Sequence, residues 1–203
     1  MREFDEVASA ASVERAMAAL LANGIEAELV PDGAAARSRV LELIPPGAQV
    51  MLGTSRTLEL TGLVSELEES GRYDAVRPTV RALNRATQSD QIRRLRSAPD
   101  VVVGSVHAVT ERGEVVIASE SGSQMAPYVY GARTVIWVVG TQKVVPDLDT
   151  GMRRVMEYAL PLEEDRAQQA YGRGSGANKV LIISREIRPN RIRLIFVSES
   201  IGF

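Results

Sequence analysis

A chain of 203 residues, 45% hydrophobic and 25% charged, has the length and composition of one globular domain with a sizeable core. A net charge of -2 gives no bulk attraction to nucleic acid or to an anionic membrane. The absence of cysteine excludes disulfides, thiolate nucleophiles and cysteine-held clusters, and a single histidine excludes a histidine-rich metal site within one chain.

The first stretch carries Glu3, Asp5, Glu6 and Glu14 in place of a basic segment followed by an apolar core. No run approaches the roughly 18–20 apolar residues of a membrane span. The expectation is a cytoplasmic protein that binds neither membrane nor nucleic acid, organised as one domain over residues 1–203.

In chain order, Val13, Met17, Leu20 and Leu21 recur at helical spacing, with Ser12 as the expected cap and Asn23-Gly24 as the stop. Residues 25–30 alternate like a strand, and 34–43 return to helical spacing before Pro45-Pro46-Gly47. Residues 1–47 therefore read as an α-β-α opening. A short strand over 49–52 runs into Gly53-Thr54-Ser55 and a helix start at Thr57. That arrangement presents free N–H groups to a phosphate or carboxylate, or simply caps the helix; it lacks the spacing of a nucleotide-triphosphate loop. Residues 73–76 read as a strand, and 87–97 as a helix whose basic face, through Arg93, Arg94 and Arg96, reads as solvated.

The densest information lies between Asp100 and Lys143. Three apolar runs, 101–103, 115–118 and 135–139, each end in glycine or polar residues. The loops are Gly104-Ser105-Val106-His107, Ser119 to Gln124, and Gly140-Thr141-Gln142-Lys143. Strands that stop this way describe a parallel sheet with a site at its carboxyl edge. His107 suits acid–base work or hydrogen bonding to a ligand, with Glu120, Asp147 or Asp149 as possible carboxylate partners, or is a histidine satisfied by backbone. Lys143 is a point charge for an anion, or a surface lysine. Ser121, Gly122, Ser123 and Gln124 offer hydroxyl and backbone donors. No G-x-S-x-G elbow is present, so a Ser-His-Asp hydrolase is not expected.

Beyond that stretch, Pro146-Asp147 opens a helix carried to Ala159, and Pro161 is expected to interrupt it before 162–170 resume. Gly172 to Gly176 form a glycine-rich loop. Strands over 180–184 and 192–197 follow, joined through Arg188-Pro189-Asn190-Arg191 as a hairpin, so 172–203 read as a glycine-rich loop and a strand pair.

The run Val102 to Val116, with Gly104, Ser105 and His107, then Gly122-Ser123-Gln124, then Val135 to Val145, with Gly140 and Lys143, resembles the signature region of the LUD-domain family. That family includes lactate-utilization proteins of the LutC/YkgG type. The resemblance runs from about Gln49 to Phe203. Many members carry Thr-Asn where this chain has Val106-His107, and Gly-Asn where it has Ser123-Gln124.

The resemblance implies an open, mostly parallel α/β sheet flanked by helices, like the sugar-phosphate isomerase and CoA-transferase (NagB/RpiA/CoA-transferase-like) fold. In such relatives a Gly-Thr/Ser loop, matched here by Gly53, Thr54 and Ser55, holds phosphate. His107 stands where several of them carry an acid–base aspartate. It also implies an accessory subunit of lactate oxidation, with iron–sulfur oxidoreductase subunits as partners and a small anionic ligand. No cofactor of its own is implied. The alternatives are a stand-alone enzyme or a sensor for a phosphorylated sugar or acyl-CoA-like ligand, and a homo-oligomer through an exposed strand edge.

Overall fold

The first helix, α1 (Ala10–Ala22), is capped by Ser9, whose hydroxyl accepts from the Ser12 N–H at 3.2 Å. The expected cap at Ser12 lies one turn inside it, because Ala10 and Ala11 are strong helix formers and carry the helix back. The computed structural model describes residues 3–203.

After α1 come β1 (Glu26–Val30), α2 (Gly33–Leu43) and β2 (Gln49–Leu52). Then α3 (Arg56–Leu60), α4 (Leu63–Glu69), β3 (Asp74–Ala75), α5 (Val76–Ala82) and α6 (Ser89–Ser97) lead to β4 (Val101–Gly104). The hairpin of β5 (Ala108–Thr110) and β6 (Val115–Ser119) precedes β7 (Thr134–Gly140) and β8 (Val144–Val145). The chain closes with α7 (Leu148–Arg153), α8 (Leu160–Tyr171), β9 (Lys179–Ile183) and β10 (Ile192–Val197).

The main sheet has the order β1-β10-β7-β4-β2-β3, and every neighbouring pair is parallel. Its central strands are apolar on both faces. Val135, Trp137 and Val139 of β7 pack with α1 and the second sheet, while Ile136 and Val138 pack with α2, α3 and α4. This is why the run from Val135 to Val139 is continuously apolar rather than alternating.

A second sheet, β8-β5-β6-β9, lies against the first and is mixed, with β5–β8 parallel and its other pairs antiparallel. The run 115–118 therefore belongs to this smaller sheet and not to the parallel one. Its outer face, through Ala108, Val116 and Ala118, is covered by Leu148, Met152 and Val155.

Two further expectations are corrected. β9 and β10 do not form a hairpin: β10 lies between β1 and β7, and β9 pairs with β6. β10 is apolar on both faces and needs a neighbour on each side, whereas β9 leaves Val180 and Ile182 exposed and suits an edge. Nor does Pro161 interrupt the helix. A π segment, Arg154–Ala159, joins α7 to α8, and Pro161 sits in the first turn of α8. The wider turn accommodates the missing N–H and the ring's clash with the preceding turn.

Candidate functional site

Three adjacent parallel strands release the chain at one edge: β2 into Gly53-Thr54-Ser55, β4 into Ser105-Val106-His107, and β7 into Thr141-Gln142-Lys143. β6 brings Ser119 to Gln124 to the same place from the second sheet. Between them lies a cavity of about 670 Å³ bordered by Gly53, Thr54, Ser55, Ser105, His107, Ser121, Ser123 and Gln124. A depression of about 690 Å³ between Gln49 and α6 is shallow and carries Asp90 as well as Arg94.

The other expected residues take different places. Lys143 lies directly behind Ser105. Gly104 lies under Tyr128, where a side chain's Cβ would stand 1.7 Å from the tyrosine hydroxyl, so only glycine lets Tyr128 reach the cavity wall. Gly122 occupies the turn after Ser121, beside Lys179. Gly140 is separated from the cavity: a Cβ there would meet Gln142 Oε1 at 2.1 Å and the Glu199 carbonyl at 2.8 Å, so its role is to let the last residues cross the sheet.

The helix-start loop takes the capping alternative. Ser55 accepts from the Leu58 N–H at 3.5 Å. α3 is only five residues long, too short to build much of a dipole. Thr54 remains exposed on the cavity side. The 119–124 loop is braced internally: Ser119 donates to Gln124 Oε1 at 3.0 Å and accepts from the Gly122 N–H at 2.9 Å.

Lys143 is not a surface lysine. It is 0% exposed, and its ammonium donates to Thr57 Oγ1 at 3.1 Å, Ser105 Oγ at 3.0 Å and the Phe203 main-chain oxygen at 3.1 Å. None of these belongs to an Asp or Glu side chain. Burial first, and then the nearby Arg154, push its pKa well below the ordinary lysine range. Gln142, beside it, donates to the Ile201 and Gly202 carbonyls at 3.2 and 2.9 Å, tying the last residues over Lys143.

Arg154 is also 0% exposed. It donates to the His107 carbonyl and lies over the Tyr158 ring at 5.0 Å. Its Nε and Nη2 have no hydrogen-bond partner among the described residues. Burial pulls its pKa down to about 10.

His107 sits between these cations. Its Nδ1 accepts from the Ala118 N–H at 3.1 Å, which places the proton of the neutral ring on Nε2. Burial, then Lys143, then Arg154, push its pKa down to about 3. With its pKa pushed that low the ring is neutral at neutral pH and can donate through Nε2, the hydrogen-bonding alternative of the two expected roles. Two of the three carboxylates considered for it are engaged elsewhere: Asp147 caps α7 through the Thr150 N–H at 2.8 Å, and Glu120 pairs with Arg173 at 2.6 Å.

The sequence reading missed the cavity's charge. Arg56, Arg77, Arg81, Arg85, Arg96, Arg166 and Arg173 border it, against Glu120 and Glu163. Most of these arginines have carboxylate partners: Arg77 and Arg81 share Glu68, and Arg166 grips Glu163. Arg85 and Arg96 have none among the described residues. Arg96 has its pKa lowered by burial and then by Arg85 and Arg77, the mark of like charges gathered together. Two signals were visible, the basic run around Arg96 and the glycine-rich loop carrying Arg173. Nothing local, however, tells a cavity-facing arginine from a solvated one. Among the described residues no group of three His, Asp or Glu side chains is placed to hold a metal.

The comparisons with known proteins bear on the frame around this cavity. A crystal structure at 1.70 Å resolution of a DUF162 family protein from Deinococcus radiodurans superposes with a TM-score of 0.59 at 12% identity, covering 95% of this chain and 100% of that one. At that identity the likeness is one of fold. No curated protein matches. The LUD domain family matches residues 13–197, a span that contains both sheets and every cavity loop except Phe203, and the chain belongs to that family.

Proposed function

We propose that the cavity binds a small organic anion, a carboxylate or a phosphate, and that the chain serves as an accessory subunit in oxidation of lactate to pyruvate beside iron–sulfur partners. The arginine wall carries the first part. Seven arginines face two glutamates around one cavity, and Arg85 and Arg96 have no carboxylate partner among the described residues. A carboxylate or phosphate supplies the missing countercharge with bidentate geometry. Family membership supports the second part, and a chain without cysteine leaves any cluster to a partner.

Calorimetric titration with lactate, pyruvate and inorganic phosphate tests the site. Binding is expected to weaken as salt rises and to be lost in the double variant Arg85→Gln/Arg96→Gln. No binding of any of the three would remove the cavity reading. Co-purification with cysteine-rich redox proteins tests the subunit role separately; a chain that is always recovered alone counts against it.

The volume of about 670 Å³, more than lactate needs, favours a second reading, a larger ligand such as a phosphorylated sugar or an acyl-CoA-like molecule. A thermal-shift series of phosphosugars against lactate decides between the two.

A further inference from the structure

We propose that the Tyr128 hydroxyl and the His107 Nε2–H hold a carbonyl oxygen of the bound anion, so that the cavity takes oxo acids in preference to the matching hydroxy acids. This deepens the anion-binding reading of the same cavity and rests on it.

The fit around the Tyr128 hydroxyl carries the argument. Tyr128 is 1% exposed and borders the cavity. A Cβ at Gly104 would stand 1.7 Å from the hydroxyl, and a Cβ at Gly53 3.0 Å from it. The ends of β2 and β4 therefore both lack a side chain where this one oxygen sits. The residue is held from behind: Trp137 meets its ring edge-on at 5.5 Å, and Arg191 donates to its carbonyl at 2.9 Å. A buried tyrosine ordinarily gives its hydroxyl a partner. Here none of the described residues accepts its proton. The Trp137 indole N–H, without a hydrogen-bond partner of its own, offsets part of the rise that burial imposes on the phenol's pKa. An N–H can only donate, so the phenol keeps its own proton to give.

His107 presents the same polarity. Its Nδ1 is taken by the Ala118 N–H at 3.1 Å, which leaves Nε2–H as its donor, on the border of the same cavity. No described residue accepts that proton either. Gly104, beside the Tyr128 hydroxyl, leads into the loop that carries His107.

Two neutral donors suit an oxygen with partial negative charge and no proton. Full charge is the business of the arginines, where Arg85 and Arg96 have no carboxylate partner among the described residues. A carbonyl oxygen accepts two hydrogen bonds near its plane. A hydroxyl in its place brings a proton that this donor pair does not need, and an unpaired polar group is costly. An acid with a carbonyl group as well as a carboxylate answers both parts of the cavity.

The test is calorimetry of the full chain with acids paired by carbon skeleton: pyruvate against lactate, and 2-oxoglutarate against 2-hydroxyglutarate. In each pair that binds, the oxo acid is expected to bind about tenfold or more tightly. Tyr128→Phe keeps the ring against Trp137 and removes only the oxygen. It should cut the preference to about twofold or less, with phosphate affinity unchanged. Infrared spectra of an isotopically labelled oxo acid should show the carbonyl band moved to lower frequency on binding, and less so in the variant. Should Tyr128→Phe fail to fold, the band in the unmodified chain still decides. Equal affinities within the pairs, a preference that survives Tyr128→Phe, or a carbonyl band at its free position overturns the proposal. Phosphate binding with none of the acids bound overturns it while leaving anion binding standing. Binding of neither phosphate nor any acid removes both.

Discussion

The two ends of the parallel sheet each bury a cation, and they surround it in opposite ways. At the amino end, Arg191, immediately before β10, donates to Glu186 at 2.7 Å and to the Ala132, Pro127 and Tyr128 carbonyls at 3.1, 3.0 and 2.9 Å. Burial alone would raise the Glu186 pKa, yet the Arg188 N–H and the Arg191 guanidinium hold it below the usual range. At the carboxyl end, Lys143 and Arg154 are buried as deeply, and among the described residues no Asp or Glu side chain is hydrogen-bonded to either. Arg191 is a clamp between the 127–132 segment and β10. Lys143 is held behind Ser105 at the cavity wall, at a cost in desolvation that no acidic side chain hydrogen-bonded to it offsets. In open α/β sheets ligands bind at the carboxyl end of the strands, and here that is the end left electrostatically incomplete.

The contrast is sharpest in stability. Arg191→Met leaves Glu186 and three carbonyls without their donor and should cost about 3–5 kcal/mol in urea unfolding. Lys143→Met removes a buried ammonium with no Asp or Glu side chain paired to it, but strands the Thr57, Ser105 and Phe203 oxygens, and should cost less, about 1–3 kcal/mol. Equal losses would mean that the Lys143 network is a clamp like the other.

Acid should separate the ends next. Native His107 stays neutral down to a pKa of about 3, whereas the unfolded chain takes up that proton near the ordinary 6.5. In that window the unfolded state binds more protons, so stability falls as pH falls. Wild type should therefore lose stability more steeply between pH 6.5 and 3 than His107→Asn, and parallel curves would place His107 in a solvated setting.

The smallest effect belongs to the rim. Arg96→Gln relieves repulsion from Arg85 and Arg77, so the melting temperature should hold or rise slightly. Phosphate affinity should drop about three- to tenfold. A lower melting temperature with unchanged affinity would make Arg96 structural.

Much of the frame could be read from residues in order. Gly104, Ser105 and His107 stood out because an apolar run stops there, and Gly53 to Ser55 for the same reason. Both loops border the cavity. Gly140 carried the same local signal, but it serves the crossing of the last residues, and no strand-end pattern distinguishes the two uses. Arg85, Arg96, Arg166 and Arg173 come from α6, α8 and the loops beside α5 and α8. Only packing turns them toward a common space.

By itself, then, the sequence determined the local facts: which segments are strands buried on both faces, where they stop, and that no thiol chemistry is available. These follow from side-chain periodicity and composition, which act over a few residues. The tertiary structure alone decided that β10 leaves β9 to enter the main sheet, that Lys143 loses its water, and that burial and neighbouring cations push the His107 pKa down. Strand pairing, desolvation and the field of neighbouring charges are sums over groups far apart in the chain, and they take their values only once the fold has brought those groups together.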